Sequence, residues 1–359
     1  MTVVLVDGYA LSDASRDRGI GTFLKRLLPG LSEAPGLSVR VLAEPGLSLP
    51  AGVARLPARR PFPARFRPAA HDLLLPRDLR RAEADVFHSP AQHPPRRSSL
   101  PWVQTLHDLT PLTWPHPLLE RERRRWIKVG PRIRQAAAVA TVSRFSADEA
   151  IRHLGLDPAR LTVIPLGVDP AVFHPAASPR QEPPYLLHVA AWGPHKGFQE
   201  ALAVIARLAE LGLPHRLVLA GPQDAWMGAQ VQAAVRASPR PDRVQVAGYV
   251  DDLPAVYRGA VALLMTSRCE GFGLPVLEAM ACGTPVLAFA NSAVAEVVGG
   301  AGVLVSDGDV DAMVQAVRRL VDSAAMRDEL VQAGLVHSEH YRWADMATAY
   351  RQLFESVAR

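Results

Sequence analysis

Two cysteines, Cys269 and Cys282, and three lysines, Lys25, Lys128 and Lys196, are all that 359 residues contain of either type. With no CxxC and no Cys/His pair at ligand spacing, the cysteines exclude a disulfide framework and a structural metal site, and both read as free thiols. Lysine is so scarce among the 40 basic residues that arginine serves almost everywhere else. No apolar run approaches the roughly 18 residues of a membrane-spanning helix. The start, MTVVLVDG, reads as a strand and lacks a charged leader and a cleavage site. The chain is therefore expected in the cytoplasm, and at most at the inner face of the membrane. Repeats at solenoid periods are absent as well.

What remains is a globular composition, 48% apolar and 21% charged, as in packed soluble domains. The length predicts about two domains, each large enough to bury its own core. Charge is uneven: residues 1–170 carry 25 Lys/Arg against 16 Asp/Glu, and the remainder 15 against 19. Either the basic half faces an anionic surface partner, or it reflects a chain rich in Ala, Arg and Pro. No nucleic-acid partner is expected.

The stretch from Met265 to Ala290, MTSRCEGFGLPVLEAMACGTPVLAFA, is the most informative. An apolar run ends in a polar turn, a Gly-Phe-Gly loop opens a short apolar helix, and Gly283-Thr284-Pro285 turns into another strand. Glu270 and Glu278 flank the glycine loop with seven residues between them. Main-chain N–H groups at a helix N-terminus favour an anion, while an ionised Glu accepts from hydroxyls. Phosphates and hydroxyls together describe a nucleotide-sugar.

The periodicity predicts an α/β chain. Residues 3–6 form a strand, and Gly19-Ile20-Gly21-Thr22 leads into a helix with Phe23, Leu27, Leu28 and Leu31 on its apolar face. Residues 50–70, rich in Pro and Arg, read as an irregular basic segment without a packed element. Strands follow at Asp85 to His88 and Trp102 to Leu106, the second ending in His107-Asp108. A polar pair at a strand end lies where doubly wound sheets bind ligands, and a structural histidine capping the strand would look the same. Glu120 to Arg134 is a strongly basic helix, either a solvated face or a membrane contact, with a thin apolar side of Trp126, Ile127 and Val129. Ser143 is placed to cap the next helix.

A proline-rich linker over 171–184 predicts the boundary between domains 1–170 and 185–340, with a last helix in 341–359. The second half restarts with a strand at Tyr185, the turn Trp192 to Gly197, a strand ending at Gly221, and another before Gly248-Tyr249-Val250. Asp251-Asp252 reads as helix capping rather than a metal site. Two such halves place the natural ligand cleft between them. The last helix carries Trp343, Met346, Tyr350, Leu353 and Val357 at core spacing.

RGIGTF, HDLTPL at 107–112, TVSRFSADE at 141–149, VIPLGVD at 163–169, PHKG at 194–197 and CEGFGLPVLEAMACGTPVLA together resemble the retaining family 4 glycosyltransferases. The resemblance spans nearly the whole chain. It implies a GT-B fold of two Rossmann-like doubly wound domains facing a central cleft, the second holding a nucleotide diphosphate sugar and the first a glycan or lipid-linked acceptor. The last helix would cross back to the first domain. Carried onto this sequence, Glu270 accepts from sugar hydroxyls, the backbone of Gly271, Phe272 and Gly273 meets sugar and diphosphate, with Leu274 beside it in the donor set, and Glu278 holds the ribose. Lys196 binds the diphosphate, His107 lies near the transferring sugar, and Gly19 and Gly21 close over the phosphates. Gly221, Tyr249, Val250 and Arg268 complete the donor set.

The resemblance implies retention by front-face attack with no protein nucleophile, no metal and no cofactor. Ala190-Ala191 stands where relatives carry an arginine or a Gly-Thr pair, His195 where arginine is common, and Thr22 likewise. Diphosphate binding is then expected to rest on Lys196, Arg268 and N–H groups. The GIG loop and the HDLTPL stretch favour GDP-mannose, with UDP-glucose the alternative. A catalytically weak sugar-nucleotide-binding partner protein is the second reading; an epimerase or a two-carboxylate glycosidase fits less well.

Overall fold

The computed structural model describes residues 1–12, 16, 19–58, 67–176, 182–222 and 225–358. The chain begins with β1 (Thr2–Asp7), α1 (Gly19–Ser32), β2 (Leu37–Ala43), β3 (Val53–Pro57), α2 (Arg67–Arg80), β4 (Val86–Ser89) and β5 (Trp102–Leu106). It continues with α3 (Thr110–Thr113), α4 (Glu120–Ile133), β6 (Ala138–Thr141), α5 (Arg144–Leu154) and β7 (Leu161–Val163). Next come β8 (Tyr185–Val189), α6 (Phe198–Glu210), β9 (Arg216–Ala220), α7 (Ala225–Ala237), β10 (Val244–Gly248), α8 (Leu253–Gly259) and β11 (Ala262–Met265). The remainder is α9 (Leu274–Ala281), β12 (Val286–Phe289), α10 (Ser292–Val298), β13 (Val303–Val305), α11 (Val310–Asp322), α12 (Ala324–Ser338) and α13 (Trp343–Val357).

These elements form two compact units, Met1–Leu166 with Trp343–Arg359, and Gly167–Arg342. The first holds a parallel sheet of order β3-β2-β1-β4-β5-β6-β7, and the second one of order β10-β9-β8-β11-β12-β13. In each, the order runs outward from the first strand and then resumes on its other side. This is the doubly wound pattern, and it makes β1/β4 and β8/β11 the switch points. Strands covered on both faces read as continuous apolar runs, and Val4, Leu5 and Val6 of β1 are wholly buried. Local signals act as expected: Ser143 Oγ accepts from Ser146 N at 3.0 Å, and Gly155 ends α5 in the left-handed region. Asp252 caps α8 through Ala255 N at 3.0 Å.

Four sequence readings change. Residues 50–70 are not without a packed element, because Val53–Pro57 pairs in parallel with β2, Val39 opposite Val53 and Ala43 opposite Pro57. An edge strand tolerates a closing proline, since its outer N–H positions need no ladder partner. Residues 59–66 lie outside the described residues. The apolar side of α4 is used internally, with Trp126, Val129 and Ile133 buried in the first unit's core and Ile127 left 57% exposed. No broad apolar face then remains for a membrane. On α13 the buried stripe is Met346, Ala347, Tyr350 and Phe354 rather than one through Leu353 and Val357. Finally, β2, α2, α7, α10 and α12 were not anticipated. Among the described residues, no helix is long and apolar enough to cross a membrane.

A polar chain fixes α13 to its sheet. Thr105 Oγ1 lies 2.8 Å from Tyr350 OH and 2.8 Å from His88 Nε2, all buried. Burial pushes the His88 pKa down to about 3, with His107 adding to this. Thr105→Val strips a partner from two buried polar groups, whereas Tyr350→Phe removes one hydrogen bond. We expect Thr105→Val to cost about 2–3 kcal/mol and Tyr350→Phe about 1 kcal/mol, compared by urea unfolding; equal costs would contradict a shared hub.

Candidate active site

The second switch point brings two loops together. After β8 the chain turns through Pro194–Lys196, and Gly197 (φ 64°) starts α6. A Cβ on Gly197 would lie 1.7 Å from the carbonyl oxygen of Thr266, so no side chain fits. Thr266, just past β11, donates its Oγ1 hydrogen to the Gly197 carbonyl at 2.7 Å. Arg268 N donates to the His195 carbonyl at 2.8 Å. Held edge to edge, the loops set Lys196 Nζ 2.8 Å from both carboxylate oxygens of Glu270.

The pair is mostly shielded, with side chains 18% and 14% exposed. Burial raises the Glu270 pKa, but the charges of Lys196 and His195 and the Lys196 hydrogen bonds more than offset it, and the carboxyl is held below its ordinary range. Glu270 N donates to Ser292 Oγ at 3.0 Å, and that hydroxyl donates to Asn291 Oδ1 at 2.9 Å. Ser292 has φ 45°, a conformation uncommon for a non-glycine residue and typical of functional sites. Asn291 Nδ2 anchors the arrangement on the Ser267 carbonyl at 3.0 Å. Sequence reasoning missed both residues; their one signal was an Asn-Ser pair at the carboxyl end of β12.

Glu278 sits apart from this pair on α9. Tyr257 OH, from α8, donates to its Oε2 at 2.8 Å. Burial pushes its pKa up to about 7, and the tyrosine restrains the rise. The two carboxylates therefore differ: Glu270 is held below its ordinary range by Lys196, and Glu278 is pushed up to about 7 by burial. Between them Gly273 (φ 106°) stands at the N-terminus of α9 and makes no side-chain cap. Pro275 supplies no donor, and Val276 N is taken by the Gly273 carbonyl at 2.9 Å. Phe272 turns its buried ring edge-on to Tyr341, 6.0 Å away, and Leu274 opens the helix.

Other sequence-selected residues lie elsewhere. The Arg268 guanidinium lies between Glu200 (3.5 Å) and Asp307 (3.4 Å). Gly221 (φ 142°) has a packing reason, since a Cβ there would fall 1.8 Å from the Ala190 carbonyl oxygen. Tyr249 is 69% exposed on the loop after β10, next to half-buried Val250. In the first unit, Gly19 and Gly21 lie in the first turn of α1. His107 follows β5, its ring 4.8 Å edge-on from Phe23. Burial lowers its pKa to about 4, partly countered by a hydrogen bond to the Pro90 carbonyl, and its Nε2 has no partner among the described residues. It is thus a neutral imidazole. Asp108 instead caps a turn through Thr110 N at 3.1 Å.

The comparisons agree with this architecture. The model for "Glycosyltransferase Family 4" matches residues 18–172, and that for "Glycosyl transferases group 1" matches 172–336. The chain is 29% identical over 299 residues to the O-antigen chain mannosyltransferase B of Escherichia coli, covering 78% of this chain and 77% of that protein. It is 32% identical over 262 residues to the MMP alpha-(1->4)-mannosyltransferase of Mycolicibacterium hassiacum, covering 68% of this chain and 61% of the relative. The solved sucrose-phosphate synthase of Thermosynechococcus elongatus superposes with a TM-score of 0.82 at 21% identity, covering 99% of this chain and 100% of that one.

Two measurements test the site's electrostatics. Lys196→Met leaves Glu270 shielded and unpaired, so its loss of thermal stability should exceed that of the Lys196→Met/Glu270→Gln double variant; a double variant that is the less stable of the two contradicts the pairing. Glu278 has a folded pKa above its unfolded value, so its contribution is fully present below about 4.5 and lost as pH rises to about 7. Wild-type melting temperature should fall across that window, and Glu278→Gln should flatten the fall.

Proposed function

The chain belongs to the group 1 glycosyltransferases and has their GT-B fold, and from that membership we propose that it moves a hexosyl residue from a nucleotide diphosphate sugar to a glycan or lipid-linked acceptor. Mannose is the favoured sugar, with glucose the alternative. Two relatives bearing the mannosyltransferase name support this choice. The observation that carries the reading is the shielded Lys196–Glu270 pair at the second sheet's switch point.

In the proposed cycle, the donor's diphosphate takes over Lys196, and the released Glu270 accepts hydrogen bonds from sugar hydroxyls. Charge grows on the leaving phosphate, and Lys196 with the N–H groups at the start of α9 would meet that charge. Glu278 accepts from the ribose, and the Tyr249-Val250 loop meets the base. Arg268, committed to Glu200 and Asp307, is left with a supporting part. His107, a neutral ring, is given the place near the transferring sugar, and the glycine pair of α1 the close backbone approach to the phosphates. We propose retention of configuration by front-face attack, the leaving phosphate taking the acceptor proton. Both carboxylates lie on one loop-helix unit beside the proposed anion site, which argues against their use as a glycosidase acid and nucleophile.

A thermal-shift panel of GDP-, UDP-, dTDP- and ADP-sugars tests the donor. GDP-mannose at about 100 times its dissociation constant should add about 2.7 kcal/mol, a rise of a few degrees; a rise with UDP-glucose alone would reassign the sugar. With the preferred donor, Glu270→Gln and Lys196→Met should each lower turnover about 100-fold or more. Donor binding without transfer or hydrolysis by the wild type would favour a partner protein.

A further inference from the structure

Tyr257 has no counterpart among the residues that the nucleotide-sugar reading requires, yet it is the one described side chain that bonds Glu278. It is wholly buried on α8, and its main chain is fixed as well: its carbonyl accepts from Thr284 Oγ1 at 2.7 Å, in the turn that follows α9. The ring also lies edge-on to Phe173 at 6.1 Å. A tyrosine held at both ends has little freedom to choose another partner. Its hydroxyl engages Oε2 alone, and Oε1 makes no hydrogen bond among the described residues.

We propose that Tyr257 is a positioning residue for the nucleotide, holding the Glu278 carboxylate in one rotamer so that Oε1 is presented to the ribose hydroxyls. The proposal rests on the nucleotide-sugar reading of the site. The same α8 is capped by Asp252, two residues beyond Val250, so one helix links the segment given to the base with the carboxylate given to the ribose.

The hydroxyl has a second effect. A donor hydrogen bond favours the charged carboxylate, whereas burial disfavours it, and here the balance leaves Glu278 near 7. The neighbouring titratable groups leave this balance to Tyr257. Cys282, just after α9, is kept a neutral thiol by burial, its pKa pushed up to about 12. Arg258 of α8 turns to the His174 carbonyl at 3.3 Å. On α12, Arg327 turns to the Leu320 and Val321 carbonyls, and His337 to that of Val297.

Tyr257→Phe keeps the ring in place and removes the hydroxyl. UDP and GDP binding are measured by calorimetry from about pH 6 to about pH 9 on wild type and variant. At neutral pH the variant should bind the preferred nucleotide about tenfold more weakly, and its affinity should return toward that of wild type as the pH rises. A variant curve that superimposes on wild type, or lies below it by the same factor at every pH, overturns the proposal. Should the variant misfold, 3,5-difluorotyrosine at position 257 keeps the ring and makes the hydroxyl a stronger donor. That substitution should move the inflection to lower pH, and an unmoved inflection is equally fatal. A wild-type protein that binds neither nucleotide at any pH overturns the nucleotide-sugar reading itself.

Discussion

The Lys196–Glu270 contact depends on a chain of local necessities. The two residues follow different strands, β8 and β11, and they meet because the backbones behind them are pressed together. That closeness is possible only where Gly197 has no Cβ to strike the Thr266 carbonyl. Thr266 Oγ1 and Arg268 N then fasten the two loops, and Ser292 fixes the backbone of Glu270 from a third. Removing two charges from water is costly unless each satisfies the other. A lysine and a glutamate held this way are therefore preorganised for a ligand that supplies an anion and hydroxyl donors in place of the pair.

The sequence made part of this visible. Glycines beside carboxylates in the stretch 265–290 stood out because local chemistry, not packing, explained them, and Lys196 stood out through the scarcity of lysine. The strand–turn–helix alternation was legible wherever β-branched runs met glycine turns, as at β1 and β8. What escaped was decided by tertiary neighbours. Nothing local in residues 53–57 foretells an edge strand; its partner β2 does. Trp126 and Val129 suggested an apolar surface until the core of the first unit took them in. Asn291, Ser292 and Tyr257 carry no motif of their own, and their parts come from what they touch. The difference between Glu270 and Glu278 was equally hidden, because it arises from a lysine on one and a tyrosine on the other.

The first unit handles polarity in a different way. Its buried groups join into short networks at the carboxyl ends of its strands, Asp7 with His71 at 2.8 Å and Thr105 with both His88 and Tyr350. Burial and His71 act in opposite senses on Asp7, and its carboxyl ends below its ordinary range. Phe23 of α1 stands edge-on to His107, His88 and Tyr350. One ring thus links the helix that carries the glycine pair, the strand end that carries His107, and α13.

The return of α13 to the first unit sets an order of events during synthesis. Residues 1–166 lack Tyr350 and Phe354 until α13 has been made. The second unit is continuous, and its two ends lie side by side, with Val168 N donating to the Tyr341 carbonyl at 3.0 Å and Val168 bridging Arg342. The half encoded second is thus one contiguous stretch of chain, whereas the half encoded first keeps its aromatic cluster open until α13 has been made.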